Sequence, residues 1–247
     1  MWLLLIRNRT RILNLERRLA DAEKMAAVGT LAAGVAHEIR NPLAALRGFA
    51  QYFAKKLSGV KPDKEYAETM VREADRLNRV ITDLLYLAGP KNMLPGVVDL
   101  ELVAGDVARL LQFDLDSRRI SLDMKLEART ILADADALKQ ALLNLVLNSA
   151  DAVSEKSFSL SEHGSIIIRS YIQDSFTVLE VEDNGVGMDK DGQNKAFEAF
   201  FTKKANGIGL GLAFVKKTMN EHDGIARLES EAGLWCRVSL LFPTAAA

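Results

Sequence analysis

His37 is followed at once by Glu38, in the stretch Val35-Ala36-His37-Glu38-Ile39-Arg40-Asn41-Pro42-Leu43. Imidazole titrates nearest neutral pH of all side chains and is nucleophilic through either ring nitrogen. A carboxylate beside it can orient the ring or take its proton during an attack. Alone, a His-Glu pair on a helix is most often just solvated surface. A second constellation stands much further along, in the helix-forming run 139–151. A rotation of about 100° per residue puts Asn144, Asn148 and Asp151 on one face of that helix. Leu138, Leu142, Leu145 and Ser149 centre about a third of a turn away. Asparagines on so apolar a helix need partners, since burying an unsatisfied amide costs about 1–3 kcal/mol. Either they bond nearby backbone, or their carbonyl oxygens serve a hard cation such as Mg²⁺.

Two glycine-bearing segments follow. Glu182-Asp183-Asn184-Gly185-Val186-Gly187 lies at a strand end, and Gly207-Ile208-Gly209-Leu210-Gly211-Leu212 at a helix start. Glycines entering a helix leave backbone amides free to meet an anion, and the helix dipole adds favourable charge. Asp183, at its strand terminus, is suited to accept a hydrogen bond from an exocyclic amine. One such segment is often only a turn. Two of them, flanking a polar loop and set behind a double-Asn helix, are strong evidence of a binding site.

The elements that must position these groups fall into two kinds. Ile12, Leu15, Leu19, Ala22, Ala26, Gly29, Ala33 and Ala36 alternate steps of three and four, which predicts a helix that pairs with another helix. Gly29 and Gly34 each cost about 1 kcal/mol relative to Ala, so this helix is expected to be pliable near His37. Pro42 removes a helix hydrogen bond and predicts a kink. The helix resumes through Leu46, Phe49 and Phe53 and stops at 58–63, where Gly and Pro cluster. A second series, Tyr66, Met70, Ala74, Leu77, Ile81, Leu84 and Ala88, completes an antiparallel hairpin. One hairpin cannot bury both faces of its seam, so a homodimer forming a four-helix bundle is expected.

After a short linker bracketed by Gly89-Pro90 and Pro95-Gly96, the pattern becomes mixed. Helices are expected over 100–113, 135–153 and 208–220, and strands over 120–126, 165–171, 176–181, 224–230 and 235–242. Strands and helices without strict βαβ alternation imply an α+β sandwich, one sheet with helices on one face. The aperiodic stretch 188–206 reads as a long loop, and in a compact domain loops of that length are commonly lids.

Composition narrows the choice. With 247 residues there is room for one large or two modest domains, and a formal net charge of −1 argues against a nucleic-acid partner. The single cysteine, Cys236, excludes an internal disulfide and reads as a buried strand thiol. His163 is expected to be exposed and His222 to act as a cation at a helix C-terminus; the three histidines do not make a zinc site. Trp2 to Ile6 is too short to span a bilayer, which needs about 20 residues. An apolar run ending in Arg7, Arg9 and Arg11 nevertheless looks like the cytoplasmic end of a transmembrane helix.

In order, His-Glu-x-x-Asn-Pro, Asn-x-x-x-Asn, Asp-x-Gly-x-Gly, Phe-x-x-Phe-Phe and Gly-x-Gly-x-Gly resemble the motifs of bacterial sensor histidine kinases of two-component systems, across residues 12–243. Within that family the chain is most similar to the nitrogen-regulation and zinc-responsive group. The resemblance implies that His37 attacks the γ-phosphate of ATP, that Glu38 is the activating base, and that Asn41 orients water when a response regulator is dephosphorylated. It implies that Asn144 and Asn148 form the N-box, with Asn148 on Mg²⁺, and that Asp183 binds the adenine amine. Gly185 and Gly187 would let the purine pack against backbone. Phe197, Phe200 and Phe201 match the lid aromatics, and Gly207, Gly209 and Gly211 the phosphate-closing glycine box. Lys204 is the candidate for phosphate charge compensation.

The implied organisation is a membrane-proximal helical linker at 1–24, a dimerisation and phosphotransfer domain at 25–92, and a Bergerat-type ATP-binding domain at 93–247. ATP, Mg²⁺, a second copy and a response regulator are the implied cofactors and partners. The implied location is the cytoplasmic part of a bacterial inner-membrane protein, touching the membrane only through an upstream segment. Two departures stand out. Asp151 holds a place where many members carry Lys or Arg, and opposite charges 4 Å apart are worth about 4 kcal/mol at an effective dielectric of 20, with the sign reversed for a carboxylate beside phosphate. Asp151 is therefore expected to point off the phosphates or act through the metal. Ala199 stands where a Pro is common in the lid. Two rivals stay open: a non-kinase ATPase of the same nucleotide fold, as in gyrase, and a non-enzymatic or phosphatase-dominant module. The former uses a glutamate where Asn144 stands and lacks the His-bearing hairpin.

Overall fold

The computed structural model describes residues 43–44, 46–53, 56, 63–88, 93–158, 162–204 and 208–244. The chain divides after Pro90 into two compact units. In the first, residues 46–53 are helical and α1 spans Asp63–Ala88. Leu43, Ala74 and Ile81 form a small buried cluster with Leu85 against it, and Arg47 Nε pairs with Asp75 at 3.2 Å. The seam read from sequence therefore splits by burial. Ala74 and Ile81 are consumed within the chain, whereas Leu46, Phe49, Phe53, Tyr66, Met70 and Leu77 are exposed on it. The heptad helix of 12–36, the His37 stretch and the kink at Pro42 lie outside the described residues.

The second unit is α+β. Its elements are β1 (Gly96–Asp99), α2 (Leu100–Arg118), β2 (Ile120–Leu126), β3 (Thr130–Ala133), α3 (Ala135–Ser154), β4 (Gly164–Gln173) and β5 (Phe176–Asp183), then α4 (Lys190–Lys195), α5 (Gly211–Glu221), β6 (Ile225–Glu231) and β7 (Trp235–Pro243). Five strands form one sheet in the order β2-β4-β5-β7-β6, antiparallel except for β2 beside β4. A separate ribbon pairs β1 with β3. Period-two burial puts Ile166, Ile168, Leu179, Val181, Val238 and Leu240 on the face covered by α2, α3 and α5. The other face carries a charged ladder in which Arg169 and Arg237 both bridge to Glu180 and Glu182.

Aspartates start the helices. Asp99 accepts from the amides of Glu101 and Leu102, and Asp134 from that of Ala137, satisfying donors that a first helical turn leaves unpaired. Asp134 also accepts from Leu94 N–H at 2.9 Å, tying the linker exit to the start of α3. His222 corrects an expectation. Its Nε2 accepts from Asp134 N–H at 2.8 Å, and its Nδ1 faces the Thr218 carbonyl at 2.7 Å. A ring that accepts at one nitrogen is the neutral tautomer, not a cation at a helix end. Cys236 is a buried strand thiol as expected; burial pushes it up to about 12, so it stays protonated. His163 is exposed.

Candidate functional site

The site grows from α3. Its apolar stripe (Leu138, Leu142, Leu145, Val146) is buried against the sheet and fixes the rotation of the helix. That rotation turns Asn144, Asn148 and Asp151 toward the start of α5 and the end of the 188–204 segment. Asn144 is buried and Asn148 half-buried. Gly211 opens α5 beside them: a Cβ there would stand 3.6 Å from Asn148 Nδ2 and from Asn144 Cγ. Asn144 Nδ2 is buried and makes no hydrogen bond to any described residue. A buried amide left unpaired costs about 1–3 kcal/mol, so this donor favours a polar ligand.

Lys204 reaches the same place. Its Nζ donates to Asp151 Oδ2 at 2.7 Å and to Asn148 Oδ1 at 3.3 Å. Arg118, from the end of α2, donates to Asp151 Oδ1 at 2.9 Å. Burial alone would raise the Asp151 carboxyl, but the Lys204 ammonium and the Arg118 guanidinium hold it below the ordinary range. The donor set fits Mg²⁺ to the extent that Asn148 offers one hard, half-exposed oxygen at the mouth of this site. Such a metal keeps waters and binds chiefly through substrate phosphates.

Beside this face lies Asp183, at the end of β5 and buried at 4% exposure. Ser149, one residue past Asn148 on α3, donates its hydroxyl to Asp183 Oδ2 at 2.8 Å, and Gly185 N–H donates to Oδ1 at 3.0 Å. Burial pushes the Asp183 carboxyl up to about 6 against the pull of these two bonds. A cavity of about 40 Å³ adjoins it, lined by Leu145, Asn148, Met188, Leu212 and Val238 among others. Small-molecule pockets run to about 300–1,000 Å³, so this cavity is smaller than a drug-sized ligand needs. A larger depression of about 330 Å³, between Ser165, Ile167, Trp235 and Arg237, opens on the opposite face of the sheet. Arg237 is already engaged there by Glu182, and the asparagine pair does not reach it.

The segment after Asp183 is held from three sides. Val186 N–H donates to the Ala152 carbonyl, Gly233 N–H to the Val186 carbonyl, and Lys156 Nζ to the carbonyls of Asn184 and Leu234. Gly187 has φ +60, and a Cβ on it would run into the Glu231 carbonyl. Here a glycine is required by chirality and by space. The expected lid is not wholly aperiodic, because α4 forms within it: Asp189 caps α4 through Gly192 N–H and pairs with Lys203 at 2.7 Å. Phe197 lies under the Lys216 ammonium, 5.2 Å from its ring centre. Phe200 has a left-handed backbone, φ +67, and its N–H donates to the Gly209 carbonyl at 2.8 Å. Non-glycine residues held at positive φ cost about 1–3 kcal/mol and cluster at switch regions.

The structure thus brings together Asn144, Asn148, Lys204 and Gly211, and sets Asp183 against Ser149 on the adjacent face of the same helix. Phe200 and Gly209 bond to one another beside them. Gly207, His37, Glu38 and Asn41 lie outside the described residues. Sequence reasoning missed Ser149, counted with the apolar face, and Arg118, which nothing in the spacing joins to Asp151.

Residues 27–90 match the His Kinase A (phospho-acceptor) domain, and residues 133–246 match the Histidine kinase-, DNA gyrase B-, and HSP90-like ATPase family. The chain belongs to the sensor histidine kinases. Among these kinases, ZraS of Escherichia coli (strain K12) is 37% identical over 231 residues, covering 93% of this chain and 48% of that protein. AtoS of the same organism is 37% identical over 231 residues, covering 92% and 37%. The chain thus spans half the length, or less, of these relatives. Full-length ShkA in complex with AMPPNP superposes with a TM-score of 0.68 at 25% identity, over 89% of this chain and 47% of ShkA. ThkA in complex with the response regulator protein TrrA gives 0.59 at 25% identity, over 92% and 66%. Among the kinase motifs, the match over 27–90 includes His37, which separates this chain from the gyrase-like reading of the nucleotide fold alone.

Proposed function

We propose that the chain transfers the γ-phosphoryl group of ATP to His37 and passes it to an aspartate of a response regulator, with a phosphatase activity on the same regulator. The observation that carries this reading is α3, which presents Asn144 and Asn148 on one face and, on the adjacent face, Ser149 bonded to Asp183. That arrangement suits one ligand with an amine-bearing base and a polyphosphate. AMPPNP in ShkA and TrrA on ThkA support the same nucleotide class and partner class here.

In this reading Asp183 accepts from the adenine amine, and the backbone at Gly185 and Gly187 lies against the purine. Asn144 Nδ2 donates to a phosphate oxygen. Mg²⁺ held by Asn148 would supply neutralisation of charge on the triphosphate. Lys204 adds a second cation, and the glycine box Gly207, Gly209 and Gly211 closes over the phosphates. Phe197, Phe200 and Phe201 shut the lid, excluding water that would compete with the imidazole. Transfer then needs positioning more than covalent help. A nitrogen of His37 attacks the γ-phosphorus in line, the bond to the β,γ-bridging oxygen breaks, and ADP leaves. Glu38 takes the imidazole proton, and in the reverse direction Asn41 orients the water that dephosphorylates the regulator.

Incubating the protein with γ-labelled ATP and Mg²⁺ tests the proposal. Acid-labile, base-stable label on the protein is the expected result. Free phosphate without label would favour a non-kinase ATPase, and bound ATP without either product a non-enzymatic module.

The domain assignment in this reading is a helical linker at 1–24, a dimerisation and phosphotransfer domain at 25–92, and an ATP-binding domain at 93–247. The linker would join a membrane-spanning segment upstream, leaving these residues on the cytoplasmic side. The exposed Leu46, Phe49, Phe53, Met70 and Leu77 support a homodimeric four-helix bundle. Phe49→Glu combined with Met70→Glu is expected to convert a dimer to a monomer in sedimentation velocity. An unchanged dimer would place the interface elsewhere.

A further inference from the structure

Asp151 is the residue that the nucleotide reading leaves without a role, and its surroundings supply one. Its two carboxylate oxygens face different cations. Oδ2 accepts from Lys204 Nζ at 2.7 Å, and Oδ1 accepts from Arg118 Nη1 at 2.9 Å. Lys204 Nζ lies in turn 3.3 Å from Asn148 Oδ1, the oxygen assigned to the metal. Arg118 is braced from behind by Asp114 on its own helix, at 3.0 Å. The chain Asp114–Arg118–Asp151–Lys204–Asn148 therefore runs unbroken from α2 through α3 to the end of the lid segment. Each link is only half-buried, so its value lies in placement: a flexible four-carbon stem is held with its ammonium at one point.

Resting on the nucleotide reading, we propose that Asp151 is a positioning residue that holds the Lys204 ammonium at Asn148, where the phosphates of a nucleoside triphosphate arrive. Arg118 fixes the carboxylate that does the holding. A lone carboxylate at this position would repel phosphate. Flanked by two cations, it becomes the anchor through which a lysine from a different element is delivered. These contacts favour this role over the two expected ones, in which Asp151 points off the phosphates or acts through the metal.

The test is binding, measured by calorimetry on the whole chain with two probes, Mg·AMPPNP and adenosine. Asp151→Asn is expected to weaken Mg·AMPPNP about tenfold, leaving adenosine unchanged. Lys204→Ala should weaken it similarly, and the Asp151→Asn/Lys204→Ala double variant no further, because both lesions remove one placed cation. Asp151→Glu, which keeps the charge, should recover most of the loss. Unaltered Mg·AMPPNP affinity in Asp151→Asn, additive losses in the double variant, or parallel loss of adenosine binding would each overturn the inference. If the wild-type chain binds neither probe, the nucleotide reading itself falls, and this inference with it.

Discussion

Asp183→Asn is expected to weaken ADP binding about thirtyfold at pH 8, a loss of about 2 kcal/mol. Both carboxylate oxygens already serve as acceptors, one for Ser149 Oγ–H and one for Gly185 N–H. An amide of the same size turns one of them into a donor, which must face either the base amine or its own neighbours. The wild-type site should also carry a pH dependence that the variant lacks. Burial raises the Asp183 carboxyl to about 6. An acid raised above its ordinary value of 3.8 favours folding in its protonated form. Its contribution to stability is therefore complete below 3.8 and is lost as pH rises through about 6. The nucleotide-free unit thus bears the cost of an ionised, buried carboxylate at neutral pH, about 3 kcal/mol. A donor arriving from the base offsets part of that cost only when the group is charged. Affinity should accordingly rise between about pH 5 and pH 7 and then level off, following that titration. The Asn variant, run alongside, subtracts the titration of the nucleotide's own phosphate. Parallel pH profiles for the two proteins would show that Asp183 does not meet the base.

Much of this site was legible because its signals are local. The apolar period of α3 fixed which face the asparagines share, and the observed helix ends within one residue of the expected span. Strands β4 and β5 showed their alternation, and the structure lengthens β4 by one and two residues at its ends and β5 by two at its C-terminal end. What escaped was either short or remote. Strands β1 and β3 have four residues each, and Gly96 at the start of β1 reads as part of a linker because its partner strand is distant in sequence. Helix α4, six residues long, is too brief for any period and exists by virtue of the Asp189 cap. Helix α2 runs on to Arg118, beyond the expected 113, and that last turn brings in the guanidinium that reaches Asp151. Ser149 was assigned to the apolar face on spacing, correctly; its hydroxyl nonetheless has a partner because Asp183 approaches from the neighbouring strand. His222 was misjudged since the amide it accepts from belongs to Asp134, far away in sequence. Tertiary approach decided all of these, and no window of sequence contains it.

His37→Gln is expected to abolish acid-labile label while leaving affinity for Mg·AMPPNP unchanged, whereas Asn148→Ala should lower both. The separation follows from where the groups reside. Asn144, Asn148, Asp183, Lys204 and Gly211 all belong to the unit that begins at Lys91, and His37 to the other. Removing the nucleophile therefore deletes a reactant without touching a binding contact. Removing Asn148 deletes the oxygen assigned to the metal and the acceptor for Lys204 together. Loss of one preorganised charge-stabilising group costs about a hundredfold or more in rate, so labelling by Asn148→Ala should fall at least that far. Of the two other histidines, both in the unit that begins at Lys91, His222 offers no substitute. His222 has both ring nitrogens committed, one accepting from Asp134 N–H and one at the Thr218 carbonyl, and so presents no free lone pair for attack. His163 is exposed at the start of β4, where its carbonyl is bonded by Asn184 Nδ2. Label surviving in His37→Gln would move the phosphoacceptor to His163 and sink the assignment. A fall in Mg·AMPPNP affinity in His37→Gln as large as that in Asn148→Ala would instead mean that the nucleophile's unit takes part in holding the nucleotide, and the division of labour between the two units would have to be abandoned.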